Sequence, residues 1–440
     1  MSHGGDAIIT SLLQWMKAKN NIGVSSKESF VSLKVGAKDF GDEGRGLAAN
    51  DNIVQNEEII KIPHSYLLNA HTIIRHISHF NKHTHLNEHY SNIDISYEEE
   101  PKDEVTQIYS KIQYNEMVGL SSFQLVSLYL CLETGRQNSF WKPFLDSLPD
   151  IKAFNWTPLV WEETGSGDLI EFLPSEVKEH HSQVSQRYNR DKEAVKKFLT
   201  SKLPETTSVD KYITSQRYLW AWMCINSRCL YMELRESNDN ADNFTMAPLV
   251  DFVNHSDDDH CRLKIDNKGF HVITTTKYEP QSQIYLSYGP HSNGFLLCEY
   301  GFVLPSNKWN DIDISRYIKQ DLNEDQVKFL KQYEYFDNYT IGKVSGVSYR
   351  TEIALAVMQE SKPFNSRKLL AYVKGLTDGE SYGESSKEIL HDILNEVESD
   401  ISGKRAQIKE IHDESKRVII QLYSDIEEII DATKLSFINA

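Results

Sequence analysis

The chain has 440 residues, enough for two or three ordinary domains, and its 47 Lys and Arg against 64 Asp and Glu leave a formal charge of −17. With 40% apolar and 25% charged residues it has the composition of a folded chain, which excludes wholesale disorder. The acid excess argues against coating a nucleic-acid backbone and favours a basic protein partner. No apolar run approaches the ~20 residues of a membrane span, and the N-terminus has no secretory signature. Cys131, Cys224, Cys229, Cys261 and Cys298, an odd set at irregular spacing, fit reduced thiols in the cytoplasm or nucleus better than a disulfide framework.

In chain order, residues 7–20 place Ile8, Leu12, Trp15 and Met16 on one helical face. Then FVSLKV (30–35), GRGLAA (44–49) and EIIKIP (58–63) read as short strands joined by tight turns. Residues 65–230 are mainly helical, with apolar faces at 120–132 and in one long helix expected over 209–234. The aromatic, Pro-rich stretch 139–161 reads as packed loops, and the polar sections 90–104 and 235–243 as exposed ones. Six histidines between His71 and His89 read as a solvated helix and loop. Strands return at LVDFV, CRLKI, GFHVITT and QIYLSYG between 247 and 302. The remainder is helical, with Gly403 expected to break the 384–434 segment into two antiparallel helices. The layout is α+β: small-β, helical, small-β, helical.

Three segments carry chemistry. In GDEGRGLAAN (41–50), Gly44 and Gly46 flank Arg45, and closely spaced glycines let a ligand approach the backbone; alone, this is an ordinary tight turn. MAPLVDFVNHSDDDH (246–260) ends in Asp251, Asn254 and His255, and by itself is a loop whose Asp and Asn bond their own backbone. Its His255, His260 and Cys261 match no zinc-ligand spacing, so no metal is expected. QIYLSYGPHSNGFLLCEYGFV (283–303) brings Tyr285, Tyr288 and Tyr300 close together, with Tyr-Gly pairs after strand-like runs.

Taken in this order, G-x-G, D-x-x-N-H, Y-x-x-Y-G and E-Y-G-F resemble the SET-domain protein methyltransferases. SFWKPFLDSLP (139–149), LWAWMCINSRCLYM (219–232) and YGPHSN (288–293) resemble the branch of the Rubisco large-subunit and fungal ribosomal-protein lysine methyltransferases. The resemblance implies a SET β-fold of small sheets interrupted by a helical insertion, then an all-helical C-terminal domain. The implied divisions are 1–80, an N-terminal helix and the first part of SET; 81–215, the insertion; 216–305, the second part of SET; and 306–440, a helical substrate-binding domain.

It further implies S-adenosylmethionine as cofactor, held by Gly44, Arg45, Gly46, Leu47, Ser227, Arg228, Asn254, His255 and Tyr288. Tyr288 is the expected catalytic residue, and Arg228, Asp251, Tyr285 and Tyr300 are expected against the substrate. A tyrosine usual after the N-H loop is replaced here by Arg262 or a neighbour. The implied activity is protein-lysine N-methylation of a ribosomal protein or translation factor by a monomer, with no role for nucleic acid or membrane. Protein-histidine methylation, or a catalytically silent peptide-binding scaffold, are the alternatives. A free lysine is almost wholly protonated at pH 7, with a pKa of about 10.4. Desolvation in an aromatic channel and a nearby positive charge both favour the neutral nucleophile.

Overall fold

Short apolar runs bounded by Gly, Pro and Asn make short strands. The computed structural model describes residues 3–18, 32, 34–81, 102–232, 243–266, 268–408 and 413–439. Its strands are β1 (Val35–Asp39), β2 (Arg45–Ala49), β3 (Glu58–Ile62), β4 (Leu68–Asn69), β5 (Cys229–Tyr231), β6 (Phe244–Met246), β7 (Asn254–His255), β8 (Cys261–Asp266), β9 (Gly269–Thr274), β10 (Gln283–Leu286), β11 (Asp311–Asp313), β12 (Thr340–Gly342) and β13 (Gly346–Val347). Among the described residues they form sheets of order β1-β2-β10-β7, β3-β9-β8, β4-β6-β5 and β11-β12-β13. The chain divides into two compact units, residues 1–155 with 184–289, and 156–183 with 290–440. The first three sheets belong to the first unit and the fourth to the second. Most of the loops expected at 90–104 and 235–243, much of the 30–35 strand, and His83, His85 and His89 lie outside the described residues.

The first unit packs its sheets with the helices Ala70–Phe80, Ser122–Glu133 and Ser215–Arg228. The second of these is apolar on nearly every face and is correspondingly buried all round. It starts at Ser121, whose hydroxyl accepts the Gln124 N–H at 3.1 Å while the Gln124 side chain reaches back to the Ser121 N–H. Trp222 is buried against Phe123 and Tyr188, with ring centroids 5.3 and 5.7 Å away. Burial pushes the thiol of Cys131 up to about 12 and that of Cys261 to about 11, which keeps both inert.

Three expectations change here. The helix expected over 209–234 ends at Arg228, because Cys229–Tyr231 pairs antiparallel with β6, opposite Met246 to Phe244. LVDFV is not a strand but a 3₁₀ turn, Val250–Phe252, entered through Leu249 at φ 68°. His76 is not solvated: it is fully buried, with Nδ1 on the Tyr129 hydroxyl.

In the second unit the helices Gly383–Ile408 and Lys416–Asn439 run antiparallel, since Lys434 pairs with Glu398 and Arg405 with Glu427. Gly403 lies inside the first of them and does not break it; the chain reverses only after Ile408. The cost of an interior glycine is about 1 kcal/mol, small beside the burial of Val397, Ile401 and Ile408 on the helix around it. The C-terminal region is helical apart from the sheet β11-β12-β13.

Candidate active site

One sheet assembles segments that are distant in sequence. β2 and β10 are antiparallel, with Leu47 opposite Ile284, and β10 and β7 are parallel, with Tyr285 opposite Asn254 and Leu286 opposite His255. The G-R-G turn, the N-H pair and the Y-x-x-Y segment thereby become neighbours. All the sequence-expected site residues except Tyr300 fall in the first unit.

Gly44 adopts φ 68°, in the left-handed region open to glycine. Gly46 is needed for space: a Cβ there would stand 2.3 Å from Gln283 Oε1 and 2.9 Å from Asn254 Nδ2. Gly46→Ala is therefore expected to cost about 1–3 kcal/mol through overpacking, lowering Tm by several degrees in a thermal melt. A melt identical to wild type would mean that the contact relaxes freely.

Around Asn254 the structure adds two residues that the motifs did not reveal. Asn254 Nδ2 donates to Gln283 Oε1 at 3.0 Å and to the Glu43 carbonyl at 3.3 Å. Gln283 Nε2 donates to Glu43 Oε2 and, at 2.7 Å, to the Tyr285 hydroxyl, which donates to Glu43 Oε2 at 3.1 Å. Burial, with the Glu43 carboxylate beside it, raises the Tyr285 hydroxyl above its ordinary pKa. Glu43 and Gln283 look like ordinary surface and edge-strand polar residues in sequence, and only the β2–β10 register gives them away.

Tyr288 is held from three sides. Its N–H donates to His255 Nδ1 at 3.0 Å, its hydroxyl donates to the Val253 carbonyl at 2.8 Å, and its ring stacks on His255 with centroids 5.0 Å apart. Beside this lies a charged cluster. Arg228 Nη1 donates to the Asp251 carbonyl at 2.6 Å and to its Oδ2 at 3.3 Å, and the Asp251 side chain is fully buried. Arg45 lies over the Phe252 ring at 4.0 Å and donates to the Ser147 carbonyl. Burial raises the Asp251 carboxyl above its usual range, and Arg228 and Arg45 oppose that shift. Burial likewise lowers Arg45, against the pull of Asp251. Arg228 Nε and Asp251 Oδ1 are buried with no hydrogen-bond partner among the described residues. Arg228 on the carboxylate and Arg45 within its field leave a locally net positive cluster.

The remaining expected residues sit as follows. The Ser227 hydroxyl donates back to the Met223 carbonyl at 2.7 Å, so in this structure it serves its helix end. Tyr300 belongs to the second unit and closes the helix Asn293–Tyr300, rather than following a strand. Arg262 is exposed on β8, opposite Ile273. Among the described residues no three His, Cys, Asp or Glu side chains are disposed to hold a metal ion, and no helix is long and apolar enough to cross a membrane.

Comparison with known proteins agrees with this fold. The SET domain model matches residues 44–289, over half of the chain, and the model of the ribosomal lysine N-methyltransferase 2 C-terminal domain matches residues 310–435. The chain belongs to the SET-domain family of protein-lysine methyltransferases. Within that family it is similar to ribosomal lysine N-methyltransferase 2 of Saccharomyces cerevisiae, at 30% identity over 87% of this chain and 88% of that one. It is also similar to ribosomal lysine N-methyltransferase set11 of Schizosaccharomyces pombe, at 28% identity over 91% and 93%. Among solved structures, Rubisco LSMT bound to AdoMet shares the fold, with a TM-score of 0.57 at 15% identity over 98% of this chain and 92% of that one.

Proposed function

We propose that this chain methylates a lysine of a ribosomal protein or other basic component of translation, using S-adenosylmethionine. The observation that carries the reading is the β2-β10-β7 sheet, which sets the G-R-G turn, Asn254-His255 and Tyr288 side by side next to the Arg228–Asp251 pair. The names of the fungal relatives support the ribosomal substrate.

The residues fit the cofactor. The unaccepted Nε of Arg228 and the unmatched Oδ1 of Asp251 suit a ligand carrying both a carboxylate and an ammonium group. Gly44 to Leu47, Arg228 and Asn254-His255 would hold it. S-adenosylmethionine, when bound, supplies a methyl group activated for displacement. The chain's own part is positioning and drying. Tyr285 and Tyr288 present aromatic surface that desolvates an incoming ammonium and so favours its neutral, nucleophilic form. The Tyr288 hydroxyl, aligned by the Val253 carbonyl, orients the amine, and such alignment supplies ~7–11 kcal/mol in well-ordered sites.

The test is to add recombinant protein and methyl-labelled cofactor to an extract of cells lacking it. Label is expected in a ribosomal protein, recovered as methyl-lysine after acid hydrolysis. Recovery as methyl-histidine would replace the lysine assignment, and an unlabelled extract would sink the proposal.

A further inference from the structure

Gln283 is 9% exposed on β10, the strand that joins β2 to β7, and its backbone stands opposite Ala48. Its amide lies over Gly46: a Cβ there would stand 2.3 Å from Oε1, so the glycine makes the room this side chain occupies. Every polar atom of the amide is engaged. Nε2 donates to Glu43 Oε2 and, at 2.7 Å, to the Tyr285 hydroxyl, while Oε1 accepts Asn254 Nδ2 at 3.0 Å. The cations on the neighbouring strands are occupied elsewhere, Arg45 with the Phe252 ring and the Ser147 carbonyl, Lys38 with Gln281 Oε1 at 3.1 Å. His260 lies on the far side, its ring centroid 6.0 Å from that of Tyr285.

These bonds have one possible direction. A carboxylate only accepts, so both Gln283 and Tyr285 donate to Glu43. That turns Gln283 Oε1 toward Asn254, which answers with its NH₂ group. The Glu43 carbonyl, also an acceptor, selects the same orientation at 3.3 Å. Both bonds of the Asn254 amide therefore leave from Nδ2, and its Oδ1 accepts nothing among the described residues. A Gln283 amide turned the other way would set Oε1 against the Glu43 carboxylate, two acceptors at contact.

We propose that Gln283 is a positioning residue: it carries the polarity of the Glu43 carboxylate to Asn254 and so presents Asn254 Oδ1 to an N–H donor of the cofactor. The role rests on the cofactor-site reading above and falls to a residue that acts through Asn254. Without the Gln283 amide, only the 3.3 Å bond to the Glu43 carbonyl still selects the Asn254 orientation.

Calorimetry of S-adenosylhomocysteine binding to the full-length protein tests this without turnover, beside thermal melts of the cofactor-free forms. Gln283→Met, similar in volume but without the amide, is expected to weaken binding about tenfold at every pH, the scale of one broken hydrogen-bonded contact. Gln283→Glu should lose a similar amount at pH 8, where the introduced carboxylate faces Glu43 Oε2 across a contact made for a donor. Like charges at that separation raise the pKa of the pair. As pH falls the pair takes up one proton, the donor returns, and the other introduced oxygen still accepts Asn254. The Gln283→Glu deficit relative to wild type is therefore expected to shrink several-fold between pH 8 and pH 5.5, while the Gln283→Met deficit stays. Wild-type affinity in Gln283→Met, a Gln283→Glu deficit that is flat in pH, or a loss confined to the melting temperature overturns the positioning role alone. Wild-type protein that binds no S-adenosylhomocysteine overturns the cofactor site itself, and this role with it.

Discussion

Tyr288→Phe is expected to lower kcat about 100-fold, the scale set by removing one oriented hydroxyl from an active site, while cofactor affinity stays within twofold of wild type. The reasoning comes from how the ring is held. Its stack on His255 and the N–H bond from Tyr288 to His255 Nδ1 do not involve the hydroxyl, so phenylalanine keeps its place. The bond to the Val253 carbonyl at 2.8 Å is lost, and with it the group proposed to orient the amine. Asn254→Ala should show the opposite pattern. Its amide ties the G-R-G turn to β10 through the Glu43 carbonyl and Gln283, so its removal weakens cofactor binding first. Steady-state kinetics with calorimetry on both variants decides the matter. An unchanged kcat in Tyr288→Phe removes the hydroxyl from the mechanism.

Arg228→Met should destabilise the protein by about 3 kcal/mol, because it strands a fully buried carboxylate. Asp251→Asn should cost less, since it removes the buried charge itself. The deficit has a definite pH dependence. Burial already raises Asp251 above its unfolded value, and Arg228 is the first of the groups that hold it down. Without Arg228 the folded pKa climbs further. A carboxyl with a raised folded pKa stabilises the fold below its unfolded pKa and loses that contribution as pH rises through the folded value. The Arg228→Met deficit is therefore largest at mildly alkaline pH and shrinks on acidification. Urea unfolding at pH 8 and pH 5 measures it; a deficit that grows toward pH 5 would contradict the buried-carboxylate account.

Five of the thirteen strands among the described residues were legible as short apolar runs between turn residues, because a strand's alternation is a local property: β2, β3, β8, β9 and β10 fall where the texture places them. The errors share one cause. Cys229–Tyr231 continues a helical pattern, yet it leaves the helix because β6 offers it a ladder. Gly403 is a local helix breaker held inside a helix whose packed flank outweighs its propensity. LVDFV is apolar like a strand but enters the 3₁₀ turn Val250–Phe252 through Leu249 at φ 68°.

The sequence by itself determined the family and marked the segments proposed to hold the cofactor, since G-R-G, D-x-x-N-H and Y-x-x-Y-G are written in residue types that need no partner to be recognised. It also determined the acidic balance that favours a basic guest. Only the tertiary structure decided which side chains touch. The register of β2, β10 and β7 brings Glu43 and Gln283 to Asn254, and the end of the helix Ser215–Arg228 meets the 3₁₀ turn so that Arg228 bonds Asp251. The reason is physical: hydrogen bonding and desolvation depend on distances of a few ångströms between residues far apart in the chain, and the order of amino acids does not state those distances until the sheet has formed.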